Sequence, residues 1–280
     1  MYYYGARYYD PRISIFISVD PLAEKYPNYT PYHYVHQNPI NMIDPTGMEA
    51  EGVGDPKEPK KPEDANCKDC KIIGLDKGDR GSSVQNQVYS AKFSNVKKSD
   101  FEHLKELFTK DPGSINDNLL AEYSLVDFDG DGRVSVGDHV DIDIMGPDNG
   151  SVVVQDVAAN DSGFMAKFAT LEGHTDAGWI YFGAFYDEGK QELIYTINNT
   201  TRTNTNMSLV GFGAPILASR RAQQNQWQRV LGNVSNILGI SPTSASMNVK
   251  TYKYQDYIQG KAPTNERSTN ILNSVIKYSN

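Results

Sequence analysis

The sequence predicts an α+β domain in which a curved antiparallel sheet wraps around one long C-terminal helix, and three observations predict it. Short apolar runs between Val140 and Asn198 are punctuated by Gly, Asp and Asn, the pattern of an antiparallel meander. Trp227, Val230, Leu231, Val234, Ile237 and Leu238 then make one apolar stripe at helical spacing. The order of elements (strand, two short helices, meander, long helix) suits a sheet curled about that helix with a cavity between them.

At 280 residues the chain is long enough for one or two domains with a substantial core. A mean hydropathy of −0.55 fits a soluble globular protein. No apolar run reaches the length of a membrane span. No basic segment followed by an apolar one opens the chain, so no cleavable signal peptide is expected. The net charge of −8 disfavours nucleic acid as a partner, because phosphate backbones select basic faces. The two cysteines, Cys67 and Cys70, form a single C-x-x-C with no second Cys/His pair at ligand spacing; they read as free thiols in a flexible stretch.

The first 48 residues differ in character from the rest. Half of the 18 tyrosines fall between Tyr2 and Tyr34. The pieces YYYGARYYDP, FISVDPLAEKYP and YHYVHQNPINMIDPTGM resemble the end of the RHS repeat-associated core, the tyrosine-rich shell of bacterial polymorphic toxins. In that family the shell ends at a DPxG-hydrophobic signature and a variable cargo follows. The resemblance therefore implies an RHS-core terminal fragment over 1–48, with cargo from Glu49. It also implies acidic self-cleavage after Met48, with Asp20 and Asp44 as the carboxylates, export by a dedicated secretion machine for bacterial competition, and an immunity protein as partner. Without that export the chain would be cytoplasmic. The chain departs from the family at Ser14-Ile15, where the pattern has Gly-Arg.

Residues 49–84 read as a linker, with Pro56, Pro59 and Pro62 among Lys and Glu. The main domain is expected over 85–240. Val88 to Val96 fits a strand. Asp100 to Lys110 fits a helix capped by Ser99 or Asp100, with Phe101, Leu104, Leu107 and Phe108 on one face. Pro112 ends it, and Ile115 to Tyr123 fits a second short helix. Val140, Ile142 and Ile144 alternate with Asp141 and Asp143; Ser151–Val157, Phe164–Leu171, Trp179–Tyr186 and Leu193–Asn198 continue the strands. The long helix runs from about Ser219 to Leu238 and stops at Gly239. The C-terminal extension, 241–280, holds a strand candidate over Met247–Ile258 and a helix candidate over Asn265–Tyr278.

This order resembles the helix-grip arrangement of the START and birch-pollen-allergen superfamily. Residues carry the likeness too: Gly163-Phe164 to Phe168, followed by TLEGHTDAGWIYF over 170–182, resembles the TLxGHxxxGxxxF signature of an uncharacterised bacterial family there. Thr201-Arg202 and Arg220-Arg221-Ala222-Gln223 resemble its later segments.

Three groups of residues are candidates for function. Asp127, Asp129, Asp131, Arg133 (by its carbonyl) and Asp138 stand at positions one, three, five, seven and twelve of a calcium-type loop, with Gly132 at the sharp turn and Val134 packing inward. A structural Ca²⁺ follows from that spacing, in a dockerin-like loop whose exit is a strand. His174 with Glu172 and Asp176 is a candidate acid–base cluster. Phe164, Phe168, Trp179, Phe182 and Tyr195 are candidates to line a ligand pocket, with Arg202 for an anionic head. The leading expectation is a polymorphic-toxin cargo whose cavity binds a hydrophobic or lipid-like molecule. A hydrolytic effector using His174 and a calcium-stabilised adaptor are the alternatives.

Overall fold

Alternation of apolar and polar residues decides the architecture of the larger part of the chain. The computed structural model describes residues 2–3, 7–10, 14–20, 30–35, 42–43, 51–52, 71–78, 82–117, 121–144, 150–203 and 216–279, the side chains of 2–3, 42–43, 51–52, 144 and 216–222 excepted. It divides into two units, Met1–Lys57 and Glu58–Asn280.

The first unit contains short strands β1 (Tyr2–Tyr3), β2 (Tyr8–Asp10), β3 (Ile15–Phe16), β4 (Met42–Ile43) and β5 (Glu51–Gly52). The first three pair antiparallel in sequence order, and β4 pairs with β5. Arg7 and Asp20 form a buried ion pair at 2.9 Å. The Arg7 guanidinium also lies 3.8 Å over the Phe16 ring, and Tyr9 packs on Tyr34 at 4.1 Å. Ser14 holds φ +58, a left-handed conformation that favours glycine.

In the second unit, nine strands form one antiparallel sheet: β6 (Ser83–Ser94), β7 (Ala121–Val126), β8 (His139–Ile144), β9 (Gly150–Asn160), β10 (Gly163–Thr170), β11 (Asp176–Asp187), β12 (Glu192–Thr203), β13 (Ser244–Lys253) and β14 (Asn265–Asn270). Their spatial order is β14-β13-β6-β12-β11-β10-β9-β8-β7. The meander β7 to β12 is a run of neighbours. β6, first in sequence, closes its far side, and the C-terminal extension adds β13 and β14 beyond it.

Period-two alternation sends Tyr89, Ala91 and Phe93 of β6, Tyr195 and Ile197 of β12, and Phe182, Ala184 and Tyr186 of β11 to one face. The helices cover that face. α1 (Lys98–Lys110) buries Phe101, Leu104 and Phe108, α2 (Gly113–Asn116) buries Ile115, and α5 (Leu272–Tyr278) buries Val275. α3 (Ile216–Leu238) buries Trp227, Val230, Leu231, Val234 and Leu238 in the same core. Each such aliphatic side chain stabilises the fold by about 1.5–3 kcal/mol. Gly239, at φ +63, ends α3 in the left-handed conformation that closes many helices. α4 (Tyr254–Ile258) follows β13 directly.

Two hydrogen bonds show that the sheet curls around α3. Gln223 accepts from Gln87 of β6 at 3.3 Å, and Gln226 donates to the Tyr123 hydroxyl of β7 at 3.1 Å. In a flat sheet those strands, six steps apart, would lie about 29 Å from each other. The two glutamines are one helical turn apart, about 4.5 Å along the axis. Side chains hanging from a helix above a flat sheet would not reach both strands.

Several sequence expectations are corrected. The cap of α1 is Lys97, not Ser99 or Asp100, and no side chain caps it; Ser99 instead bonds to Asp100 inside the first turn. The second helix stops at Asn116 rather than reaching Tyr123, because Tyr123 is drawn into β7, with its N–H bonded to Asp117 Oδ1 at 2.7 Å. The strand expected over Met247–Ile258 ends at Lys253 and gives way to α4. The helix expected over Asn265–Tyr278 is strand to Asn270 and helix only from Leu272. Pairing with β13 overrides local preference there, and Asn248 Nδ2 ties the strands by donating to Glu266 and Ser268.

The expected linker is partly ordered onto the sheet. Ile73 N–H bonds to Thr170 O at 2.9 Å, Ile72 bridges Leu171, and a 3₁₀ turn at Leu75–Lys77 buries Leu75. Cys67 and Cys70 lie outside the described residues.

Candidate functional site

A cavity opens between α3 and the inner face of the sheet. Its walls are Val140 and Ile142 of β8, Val152 of β9, Phe168 and Thr170 of β10, Ile180 and Phe182 of β11, and Asn199 and Thr201 of β12. Asn116 of α2, Tyr123 of β7, and Gln223 and Trp227 of α3 complete them, with His174 and Asp176 from the β10–β11 turn. The cavity volume is about 70 Å³; all the space between its walls, mouth included, is about 570 Å³. Phe182 meets Trp227 edge-on at 5.7 Å and Phe168 at 5.9 Å, so the deep wall is aromatic.

Several polar wall groups are tied to one another or to polar residues behind the wall. Tyr89 Oη donates to Gln87 Oε1 at 2.6 Å, Gln87 Nε2 donates to Gln223 Oε1, and Gln223 Nε2 donates to Asp176 Oδ2 at 3.0 Å. Gln226 Nε2 donates to the Asn116 carbonyl and to Tyr123 Oη. Burial pushes the Tyr89 and Tyr123 hydroxyls well above the usual phenol range, so both remain neutral. Asn199 and Trp227 are different. Both amide atoms of Asn199 and the indole Nε1 of Trp227 are buried without a hydrogen-bond partner.

The structure separates the predicted ligand residues. Phe168 and Phe182 are on the cavity wall. Phe164 and Tyr195 are not; they sit in the filled part of the core, 6.2 Å apart, where Phe164 stacks on Phe108 at 4.6 Å. Trp179 touches the wall, but its ring packs with Leu75 and Val84 on the opposite face of the sheet, beneath the Lys167 ammonium. Strand alternation requires this, since Trp179 and Phe182 are three positions apart. Arg202 is a clamp rather than an anion ligand. Its Nη1 donates to Leu75 O at 3.0 Å, its Nε donates to Ser82, and its guanidinium lies 4.2 Å over Tyr254. Asn199, Thr201, Gln223 and Trp227 are among the wall residues not anticipated. Period-two counting inward from Tyr195 and Ile197 through Asn199 to Thr201 is the signal that finds two of them.

The acid–base cluster does not assemble as a trio. His174 Nδ1 engages the Asp176 main chain, 2.9 Å from its carbonyl and 3.0 Å from its N–H. Burial lowers the His174 pKa, and the nearby Asp176 charge only partly offsets this, so the ring is neutral at neutral pH. Glu172 turns outward to an exposed ion pair with Lys71 at 2.8 Å.

The structure brings together part of the calcium-type loop. Asp127, Asp129 and Asp131 bring carboxylate oxygens within 4.8 Å of one another, a hard-oxygen set that fits Ca²⁺. Gly130 and Gly132 take φ of +73 and +72 and donate their N–H groups to Asp127, which lowers its pKa. Val134 packs into the core and the exit is β8, as expected. Arg133 N–H donates to Asp131. Asp138 stands apart: it is 2% exposed, and its two oxygens accept the N–H groups of Phe128 and Ser135. Of the cleavage candidates, Asp20 is held by Arg7, while Asp44 and Met48 lie outside the described residues.

No protein-family model matches the sequence, and no curated protein matches it. Among solved structures, the hypothetical protein jhp0584 from Helicobacter pylori is similar at 8% identity and a TM-score of 0.38, over 52% of this chain and 83% of that one. The di-domain ARO/CYC StfQ from the steffimycin biosynthetic pathway is similar at 12% identity and a TM-score of 0.36, over 55% of this chain and 51% of that one. Ara h 8.0201 has the same identity and score, over 55% and 96%. At these scores no activity passes from those proteins to this chain, and the sheet-around-helix architecture rests on its own topology.

Proposed function

We propose that the second unit is a binding module that takes a small, largely apolar molecule into the cavity between α3 and the curled sheet. The observation that carries this is the cavity itself, walled by Phe168, Phe182, Trp227 and four aliphatic side chains. Apolar walls with a few convergent polar groups are the usual make-up of a small-molecule site. The cavity, at about 70 Å³, suits one end of a small molecule, with the rest left in the open mouth. The test is titration of the isotope-labelled full chain with toluene, read by methyl NMR at Ile142, Val152 and Ile180. Saturable shifts at these methyls are expected; their absence, with the fold intact, defeats the reading.

The module rides, in this reading, behind an RHS-core end as the cargo of a polymorphic-toxin-type protein. The motifs from Tyr2 to Met48 support it, and so does the left-handed Ser14, standing where that family carries glycine. The Asp127 loop, in the same reading, is a structural calcium clamp that braces the segment between β7 and β8. Among the described residues no helix is long and apolar enough to cross a membrane.

A further inference from the structure

Asn199 is an odd residue to find where it stands. A strand interior disfavours asparagine, and a buried amide left unbonded costs about 1–3 kcal/mol. Its neighbour Asn198, on the opposite face of β12, is satisfied by Asn86 Nδ2 at 3.0 Å. Asn199 points the other way, is 1% exposed, and leaves both its donor and its acceptor unused at the cavity wall. The Trp227 indole N–H, across the same cavity, is also unused. The other wall amides are already engaged: Gln223 between Gln87 and Asp176, and Asn116 through its Nδ2 to the Pro112 carbonyl at 2.9 Å. No lysine or arginine lines the cavity among the described residues, so nothing there compensates an anionic head.

We infer that the cavity selects a small neutral molecule carrying a carboxamide-like head, which donates to Asn199 Oδ1 and accepts from Asn199 Nδ2 and the Trp227 indole. The inference rests on the binding function proposed above and names the chemistry it recognises. A carboxamide presents one acceptor and two donors in a plane, the complement of the asparagine amide. The Asn199 amide torsion is soft, so it turns to meet an occupant at small cost. A site whose buried polar groups are filled only by the right ligand discriminates strongly against an isostere that lacks them.

The test compares benzamide, benzoate and toluene as probes of the full chain. Benzamide is expected to bind at least tenfold more tightly than either of the others. Saturating benzamide is expected to shift one of the two tryptophan indole N–H signals, assigned through Trp227→Phe, whereas toluene is not expected to produce a hydrogen-bond shift. In Asn199→Leu the preference for benzamide over toluene should fall to within about twofold, while the melting temperature holds or rises because an unbonded amide has been removed. Equal affinity of benzamide and toluene, or tighter binding of benzoate, overturns the inference and leaves the apolar binding function standing. Binding of none of the three removes both. The wild-type indole signal keeps the inference testable if Asn199→Leu does not fold: a Trp227 N–H unmoved by bound benzamide also overturns it.

Discussion

Replacing Arg202 by methionine tests whether this side chain is a structural clamp. The buried guanidinium donates from Nη1 to Leu75 O at 3.0 Å, and from Nε to Ser82 O at 3.3 Å and Ser82 Oγ at 3.0 Å. Hydrogen bonds from a charged donor contribute about 1.5–3 kcal/mol each, and the stacking on Tyr254 adds about 1 kcal/mol. Counting the shared Nε bond once, and allowing for the desolvation that methionine no longer incurs, leaves a loss of about 3–5 kcal/mol. The loss should be local, since Ile72 and Leu75 pack in small clusters outside the main core. Hydrogen exchange is the assay. The N–H groups of Ile73, Lys77 and Gly78, bonded in the wild type, should exchange about two to three and a half orders of magnitude faster. Amides of β10 and β12 should change little. Arg202→Lys should recover only part of the protection, because an ammonium lacks the planar fork. Unchanged exchange over 73–78 in Arg202→Met would refute the clamp.

Three further outcomes follow from the geometry. Gly178→Ala should destabilise the fold by about 3 kcal/mol or more in a denaturant titration, because Gly178 holds φ +146 and a Cβ there would run into the Thr200 carbonyl; a loss under about 1 kcal/mol would show that β11 and β12 are not joined as described. His174 has a pKa depressed by burial, so the unfolded chain binds the proton more readily; stability is full above about pH 6.5 and falls as the pH drops through the folded-state pKa. His174→Gln should flatten that acid limb, and an unaltered pH profile would contradict the burial. Calcium should raise the melting temperature of the wild type by several degrees at a hundredfold excess over Kd, and Asp131→Ala should abolish the rise; a melting curve indifferent to calcium removes the clamp.

How much of this was legible in the sequence depends on whether the signal was local. The apolar stripe of α3 and its glycine stop needed only spacing, and both stand in the fold. The inward set Phe182, Tyr195 and Ile197 followed from period two. The same rule put Trp179 on the other face, where it shelters Leu75 and Val84. What stayed hidden required partners distant in sequence. Asn265 to Asn270 has the composition of a loop or helix start, and only its register with β13 makes it a strand. Arg202 looked like a free cation because its acceptors, Leu75 O and Ser82, lie more than a hundred residues upstream, in a stretch whose prolines and charges announce a linker. Tyr195 looked like a pocket aromatic because alternation gives a face but not a depth along the strand.

That depth is what divides the interior into two halves. Toward one end of the strands, α1 fills the space under the sheet with stacked rings: Phe101 lies on Tyr186 at 4.9 Å and Phe108 on Phe164 at 4.6 Å. Toward the other end, the inward positions of the same strands change to Gln87 on β6, Asn199 and Thr201 on β12, and Thr170 on β10, and α1 no longer reaches them. Short polar side chains occupy less of the gap between sheet and helix, and Gln87 spans it by a hydrogen bond to Gln223 instead of interlocking with apolar neighbours. The curl supplies the gap, since a sheet bent enough to bring β6 and β7 to one turn of α3 stands away from the helix in between. The cavity is therefore a consequence of where the inward residues turn polar. Replacing Thr201, an inward wall residue of β12, by leucine should raise stability while closing the site to toluene; toluene binding that survives would place the binding volume elsewhere.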